Sequence, residues 1–254
     1  MPSKIVGTGI AASLLLALAA CKPGEFRVDT NGSTGREIAG IGETIRESRS
    51  VDLSKAEGSE RVRVELELNA GELRVEGGAK ELMEADFIYN VASWKPEIQF
   101  EKSGFRSTLR VHQGGNTASI GKTQNEWRLR LNDTIPMDFS LHCGAGENRL
   151  NLGQLDLRGV EVHIGAGRVE LDLRGKLPQH DYSVEVHGGV GEAVLRLPPE
   201  AGIEARASGG IGEIEVQGLE KHGDHWRNAA AGKGQATIRV EVHGGIGSIS
   251  IDAR

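Results

Sequence analysis

The sequence predicts an all-β fold, a single-domain β-solenoid whose stacked rungs turn at glycine corners. Three observations predict it. A corner motif recurs five times, at His142-Cys-Gly-Ala-Gly146, His163-Ile-Gly-Ala-Gly167, His187-Gly-Gly-Val-Gly191, Ser208-Gly-Gly-Ile-Gly212 and His243-Gly-Gly-Ile-Gly247. Successive copies lie 21, 24, 21 and 35 residues apart, a period range that belongs to stacked repeats. Apolar residues alternate with polar ones on both sides of each corner, the pattern of half-buried strands.

The chain begins with a segment that reads as an export signal. Over residues 1–20, Lys4 supplies the positive start, and an uncharged, mostly apolar run follows, too short for a comfortable membrane span. Leu18-Ala19-Ala20-Cys21 resembles the bacterial lipobox, in which the cysteine becomes the first mature residue and carries lipid. Cys21 is therefore the expected lipidation site, and several acyl chains on one residue anchor stably. Residues 21–58 are polar and weakly periodic, which predicts a flexible tether. Ile38, Ile41 and Ile45 share a helical face within 36–49, but an isolated helix this short is marginal in water.

The folded domain is expected over 59–254. Val64, Leu66 and Leu68 lead into Asn69-Ala-Gly71, then Leu73 and Val75, a more distant copy of the motif. Strand-like stretches follow near 85–91, 97–101, 107–112, 126–131 and 137–141. They carry Phe87, Trp94, Phe100, Phe105, Trp127 and Phe139, which predicts a broader, aromatic-rich N-terminal end. In the later copies, Phe139 and Leu141, Val160 to Ile164, Val184 and Val186, and Val240 and Val242 precede the corners at alternate positions. Leu150 and Leu152, Val169 to Leu173, Ala193 to Leu197, Ile214 and Val216, and Ile249 and Ile251 resume the alternation beyond them. All can line one interior in a solenoid where each rung stacks on the last, and a one-residue slip would turn any set to water. Each corner opens another strand rather than a helix, so the glycines read as structural and not as a phosphate cradle.

Candidate chemistry is sparse. His142, His163, His187 and His243 occupy equivalent outward positions, with Ser208 in the fourth copy. If their rungs stack, the imidazoles form a ladder at about 4.8 Å. Such a ladder could collect a transition metal, sense acid, or be a surface position repeated by duplication. A second outward ladder, Glu147, Arg168, Glu192 and Glu213, reads as register control. One insertion, 218–235, lengthens the last interval and carries His222, Asp224, His225, Trp226 and Arg227. Insertions in solenoids often form binding loops; Trp226 either stacks on a sugar or partner or folds back over the C-terminal rung. Cys143 shares the parity of Leu141, so it points inward and behaves as a small apolar group. No catalytic constellation stands apart from the repeat, and no metal site or cofactor is expected. The net charge of −6 and the lack of a basic stripe argue against nucleic acid.

The run Leu66-Glu-Leu-Asn-Ala-Gly-Glu-Leu-Arg-Val75, then Gly77-Gly78-Ala79, Leu82 to Ala85, Tyr89-Asn90 and Trp94-Lys-Pro96, resembles the toast-rack domain. Asn125-Glu126-Trp127, Ile135-Pro136-Met137, Gly144-Ala-Gly146 and Leu150-Asn-Leu152 continue the resemblance, which spans about 60–254. The later portion is also similar to the C-terminal domain of the cell-wall-active antibiotic response regulators. The resemblance implies a stacked β-solenoid with no established enzymatic activity. Those regulators bear N-terminal membrane helices, which this chain replaces with a lipoprotein-like signal.

The expected function is thus that of a lipid-anchored, non-enzymatic scaffold in the cell envelope, with a role in envelope-stress sensing. Its partners would be the membrane, through the lipid, and an envelope protein. A polysaccharide-binding or adhesion module using the Trp226 loop is the alternative, and a carbohydrate-active solenoid is a third class. Lys22 after the cysteine points to an outer membrane, facing the periplasm, in a two-membrane cell.

Overall fold

The computed structural model describes residues 40–115, 122–233 and 236–254. The expected signal, Cys21 and the tether before residue 40 lie outside these residues. Thirteen strands form one sheet, and among the described residues the only helical elements are two short 3-10 turns, Leu53–Ala56 and Ala92–Trp94. The strands are β1 Ile45–Val51, β2 Arg61–Gly77, β3 Met83–Tyr89, β4 Pro96–Ser103, β5 Arg106–Gln113, β6 Asn125–Leu131 and β7 Met137–Asn151. The others are β8 Leu157–Asp172, β9 Tyr182–Arg196, β10 Gly202–Gln217, β11 Glu220–His222, β12 His225–Arg227 and β13 Thr237–Asp252.

Each copy of the motif lies within one long strand that stays paired through its corner. The rungs are β2, β7, β8, β9, β13 and β10, all parallel and in register. The corner divides each rung into a first arm before it and a second arm after it. Stacking is tight there because only glycine fits. At Gly191, φ is +138°, and an added Cβ would lie 1.7 Å from the carbonyl oxygen of Gly167 on the neighbouring rung.

The predicted parity holds through the stack. Ile164 is 6% exposed, Val186 0% and Val242 1%, and the matching residues of the second arms, from Leu150 to Ile251, are buried with them. Burying each Val, Leu or Ile contributes about 1.5–3 kcal/mol, so the shared parity is the main source of stability. Ile214 and Val216 of β10 depart from it. Ile214 is 38% exposed and Val216 only partly buried, because among the described residues no rung covers the second arm of β10.

At the N-terminal end the two arms diverge. The first arm of β2 pairs with β5, which pairs with β4. The second arm pairs with β6, followed by β3 and β1. The gap at the split is closed by polar side chains. Asn125 Nδ2 donates to Ala70 O at 2.7 Å and to Gln113 Oε1 at 2.9 Å, and Trp127 Nε1 donates to Asn125 Oδ1 at 3.0 Å. Trp127 packs edge-on against Phe87 at 5.3 Å, and Phe139 is also buried. The aromatic end is therefore as expected, except that Phe105 sits in the β4–β5 turn and is 69% exposed.

Two expectations are corrected. Residues 45–51 are neither tether nor helix: β1 pairs along its full length with β3, from Ile45 opposite Tyr89 to Val51 opposite Met83. The edge of β3 supplies the backbone partners that an isolated segment lacks. The rungs also do not stack strictly in chain order, since β13 inserts between β9 and β10. β10 carries Ala205 and Ala207 where β9 has Val184 and Val186 and β13 has Val240 and Val242. Small inward residues suit a last rung, where a covering hairpin rather than another full rung must fit.

Candidate functional site

The face that carries the histidines is built by register alone. Cross-strand partners run Glu67, His142, His163, His187, His243 and Ser208 from β2 to β10. The four imidazoles stack face to face, with centroids 4.7, 4.7 and 5.0 Å apart and planes within 2°, 5° and 21°. Ser208 Oγ closes one end at 2.8 Å from His243 Nδ1. Beyond the other end, Glu67 stands opposite His112, which lies 3.3 Å from Glu97. Sequence reasoning missed Glu67, Glu97 and His112, because the distant copy has glutamate in place of histidine.

Two residues before the histidines runs a parallel row of carboxylates, Glu161, Glu185 and Glu241. Glu161 Oε1 is 2.8 Å from His163 Nε2, and Arg63 approaches its other oxygen at 3.8 Å. The His163 hydrogen bond, aided by the charges of His142 and Arg63, holds the Glu161 carboxyl below its ordinary range. Parallel rings one strand apart present nitrogens side by side rather than toward a common point. Among the described residues no three His, Cys, Asp or Glu side chains converge to hold a metal ion. The groove beside the ladder is floored by Gly144, Gly165, Gly189 and Gly245 and is open to solvent. Cys143 is buried beneath it, and burial pushes its thiol pKa up.

The second outward ladder is present in part. Arg168 bonds Glu192 across strands at 2.6 Å and Glu170 along its own strand at 2.9 Å, while Arg149 pairs with Glu147 at 3.1 Å. Glu213 is cut off from this network because Ser248 of β13 lies between it and Glu192.

The inserted loop is the hairpin β11–β12. Trp226 stands opposite Ala205 on β10 and packs half-buried against the core, with Lys221 Nζ 5.2 Å from its ring centroid. His225 Nδ1 is 3.1 Å from Asp224, and Asp224 also approaches Arg206 at 3.6 Å. His222 and Arg227 are exposed. The hairpin therefore brings the five residues together as a cover over the first arm of β10. The tryptophan folds back rather than standing free.

These rungs can be compared with known proteins. Residues 40–196 match the family model for the N-terminal domain of toast_rack (DUF2154). This chain belongs to the toast-rack family. The structure of a candidate cell adhesion protein from Clostridium sporogenes is 31% identical to this toast-rack chain, with a TM-score of 0.78. The match covers 83% of this chain and 99% of that one. A candidate adhesin from Parabacteroides merdae aligns over 83% of this chain and 81% of its own at 11% identity, but its TM-score of 0.30 gives it no weight. No curated protein matches the chain. The rungs β2, β7, β8 and β9 and the aromatic end of the toast rack lie within the matched region, and the stack continues through β13 and β10 beyond it.

Proposed function

We propose that this toast-rack protein is a non-enzymatic, lipid-anchored scaffold of the bacterial cell envelope that engages a protein partner through its sheet. The observation that carries this reading is the 31% likeness to the Clostridium sporogenes candidate cell adhesion protein over 99% of that chain. The outward charges of β7, β8 and β9 support it, since many are paired along the rungs rather than gathered as an acid–base or nucleophilic set. Anchoring at Cys21 rests on the lipobox-like Leu18-Ala19-Ala20-Cys21, and a role in envelope-stress sensing would follow from a partner that itself spans a membrane.

Crosslinking in intact cells followed by capture from membranes tests the scaffold. A single envelope protein recovered in stoichiometric yield is expected; turnover of cell-wall fragments by the purified chain would replace this reading with an enzymatic one. Incorporation of labelled fatty acid tests the anchor. It should be lost in Cys21→Ser, and a variant that still takes up label would remove the lipidation site.

Adhesion to a polysaccharide is the second reading, favoured by the description of the Clostridium sporogenes protein. The half-buried ring under Lys221 makes Trp226 a poor stacking platform, so this reading does not depend on it. Glycan-array binding that survives in Trp226→Ala is its expected signature.

A further inference from the structure

The two arms of the stack give the sheet four ends, and three are finished. At the N-terminal end the first arm is closed by β4, which starts at Pro96, and the second by β1. β1 places Glu47 and Arg49 opposite the inward residues Phe87 and Ala85. Charges on the inward side are a recognised means of blunting an edge. At the C-terminal end the hairpin β12–β11 covers the first arm of β10. The second arm, Ile211–Gln217, has no strand on its outer side among the described residues. It has no proline, no inward charge and no lysine; its only charged side chains, Glu213 and Glu215, point outward.

This bare edge adjoins an apolar strip. The fourth position of each corner motif stacks down the molecule as Ala70, Ala145, Ala166, Val190, Ile246 and Ile211. Side chains enlarge only toward the open end, where Val190 is 54%, Ile246 53% and Ile211 71% exposed. Ile214 continues the strip onto the second arm. Duplication alone would repeat alanine; three large aliphatic groups in water call for a cover.

The outward side of the same arm fixes the chemistry of that cover. Glu213 and Glu215 face Ser248 and Ser250 of β13 rather than a cation; Glu215 accepts a hydrogen bond from Gln217 Nε2 and feels Arg254, whose ion pair is with Asp252. Inner rungs answer such charges across strands, as Arg168 answers Glu192 and Arg196 answers Glu170 at 3.4 Å. We propose that the second arm of β10 is a strand-addition site for an extended segment of a partner protein that alternates apolar and basic residues. Its main chain completes the ladder, its apolar side chains cover Ile214 and Val216, and its basic ones meet Glu213 and Glu215. A second copy is the poorer occupant, because antiparallel pairing of two such arms sets glutamates against each other. The proposal rests on the scaffold reading and names the place and chemistry of its partner.

The test uses the mature chain and a decapeptide alternating valine and lysine, with a block isomer of the same composition as control. Calorimetry should show binding of the alternating peptide at least tenfold tighter than the isomer, and hydrogen exchange should slow at amides within 211–217. Ile214→Lys, a substitution at an exposed site, should weaken binding at least tenfold with the circular dichroism spectrum unchanged. Glu213→Lys combined with Glu215→Lys should turn the preference toward a valine–glutamate peptide. Equal binding of the isomer, protection elsewhere, or indifference to Ile214→Lys overturns the site. A dimer in sedimentation that Ile214→Lys dissolves would assign the edge to a second copy and overturn it likewise. Capture from membranes separates the two claims. A partner retained by Ile214→Lys leaves the scaffold standing without this edge, whereas peptide binding with no membrane partner leaves the edge standing without the scaffold.

Discussion

Gly167 and Gly104 both hold positive φ, at +120° and +60°, yet their surroundings differ. An added Cβ at Gly167 would lie 2.0 Å from the carbonyl oxygen of Gly146, while at Gly104 it would meet nothing within 4 Å. Gly104→Ala therefore costs only the left-handed backbone penalty, about 1 kcal/mol. Gly167→Ala adds a clash inside a stack that cannot part at one rung, and should cost about 3 kcal/mol. Urea midpoints of the two variants check this, and equal values would contradict the claim that corner glycines are selected by stacking. Glu161 supplies a pH test at the same scale. Its folded pKa is depressed below 4.5, first by the His163 hydrogen bond. The stability it contributes is therefore present above pH 4.5 and is lost as pH falls through the folded value. The carboxylate is 43% exposed, so solvent screening keeps the effect small, and its titration is the better readout. By NMR the Glu161 midpoint should rise in His163→Ala; an unmoved midpoint would mean that the hydrogen bond does not form in solution.

The elements separate what the sequence makes legible from what it does not. Ile164, Val186 and Val242 could be assigned to the interior because alternation leaves a strand no other way to bury them. β1 was illegible because Glu47 and Arg49 sit on its inward side and break that alternation. The interchange of β13 and β10 was illegible because both carry the same corner and fit the same register. Only the alanines of β10 and the length of the insertion distinguish them. Ladder positions were legible from motif equivalence, whereas Glu67 was hidden because glutamate replaces histidine at that position. The apolar strip was readable all along in the fourth motif position. The hairpin that ends the first arm is fastened mainly by Asn228. Its Oδ1 accepts from the amides of Ile203 and Ala231 at 3.0 and 3.1 Å, and its Nδ2 donates to the carbonyls of Ala201 and Pro199 at 2.7 and 3.2 Å. At about 1 kcal/mol net per bond, and with one of the four exposed and the others only part-buried, Asn228→Ala should cost about 2–3 kcal/mol. Hydrogen exchange should then quicken across β12 and the first arm of β10 while β7 and β8 stay protected. Uniform acceleration would show that the hairpin is integral to the whole stack rather than a cover.

For the molecule as a whole, stability is close to a sum of rungs and the interfaces between them. The two ends are unequal. At one, Trp127, Phe87 and the Gln113–Asn125 contact bind both arms to further strands; at the other, the second arm of β10 has a neighbour on one side only. Opening should therefore begin at β10 and travel toward β2. Leu171 is fully buried in β8, with rungs on both sides, and Leu171→Ala should cost about 3 kcal/mol. Ile214 has the same parity but one neighbouring rung, so Ile214→Ala should cost less than about 1 kcal/mol. Native-state hydrogen exchange decides whether the gradient exists. Amides of β10 beyond the corner should exchange with the lowest opening free energy, followed by β13 and β9, with β2 and β7 opening only on global unfolding. A single opening energy for all rungs would mean that the sheet unfolds as one unit, and the arithmetic of separable rungs would fail with it.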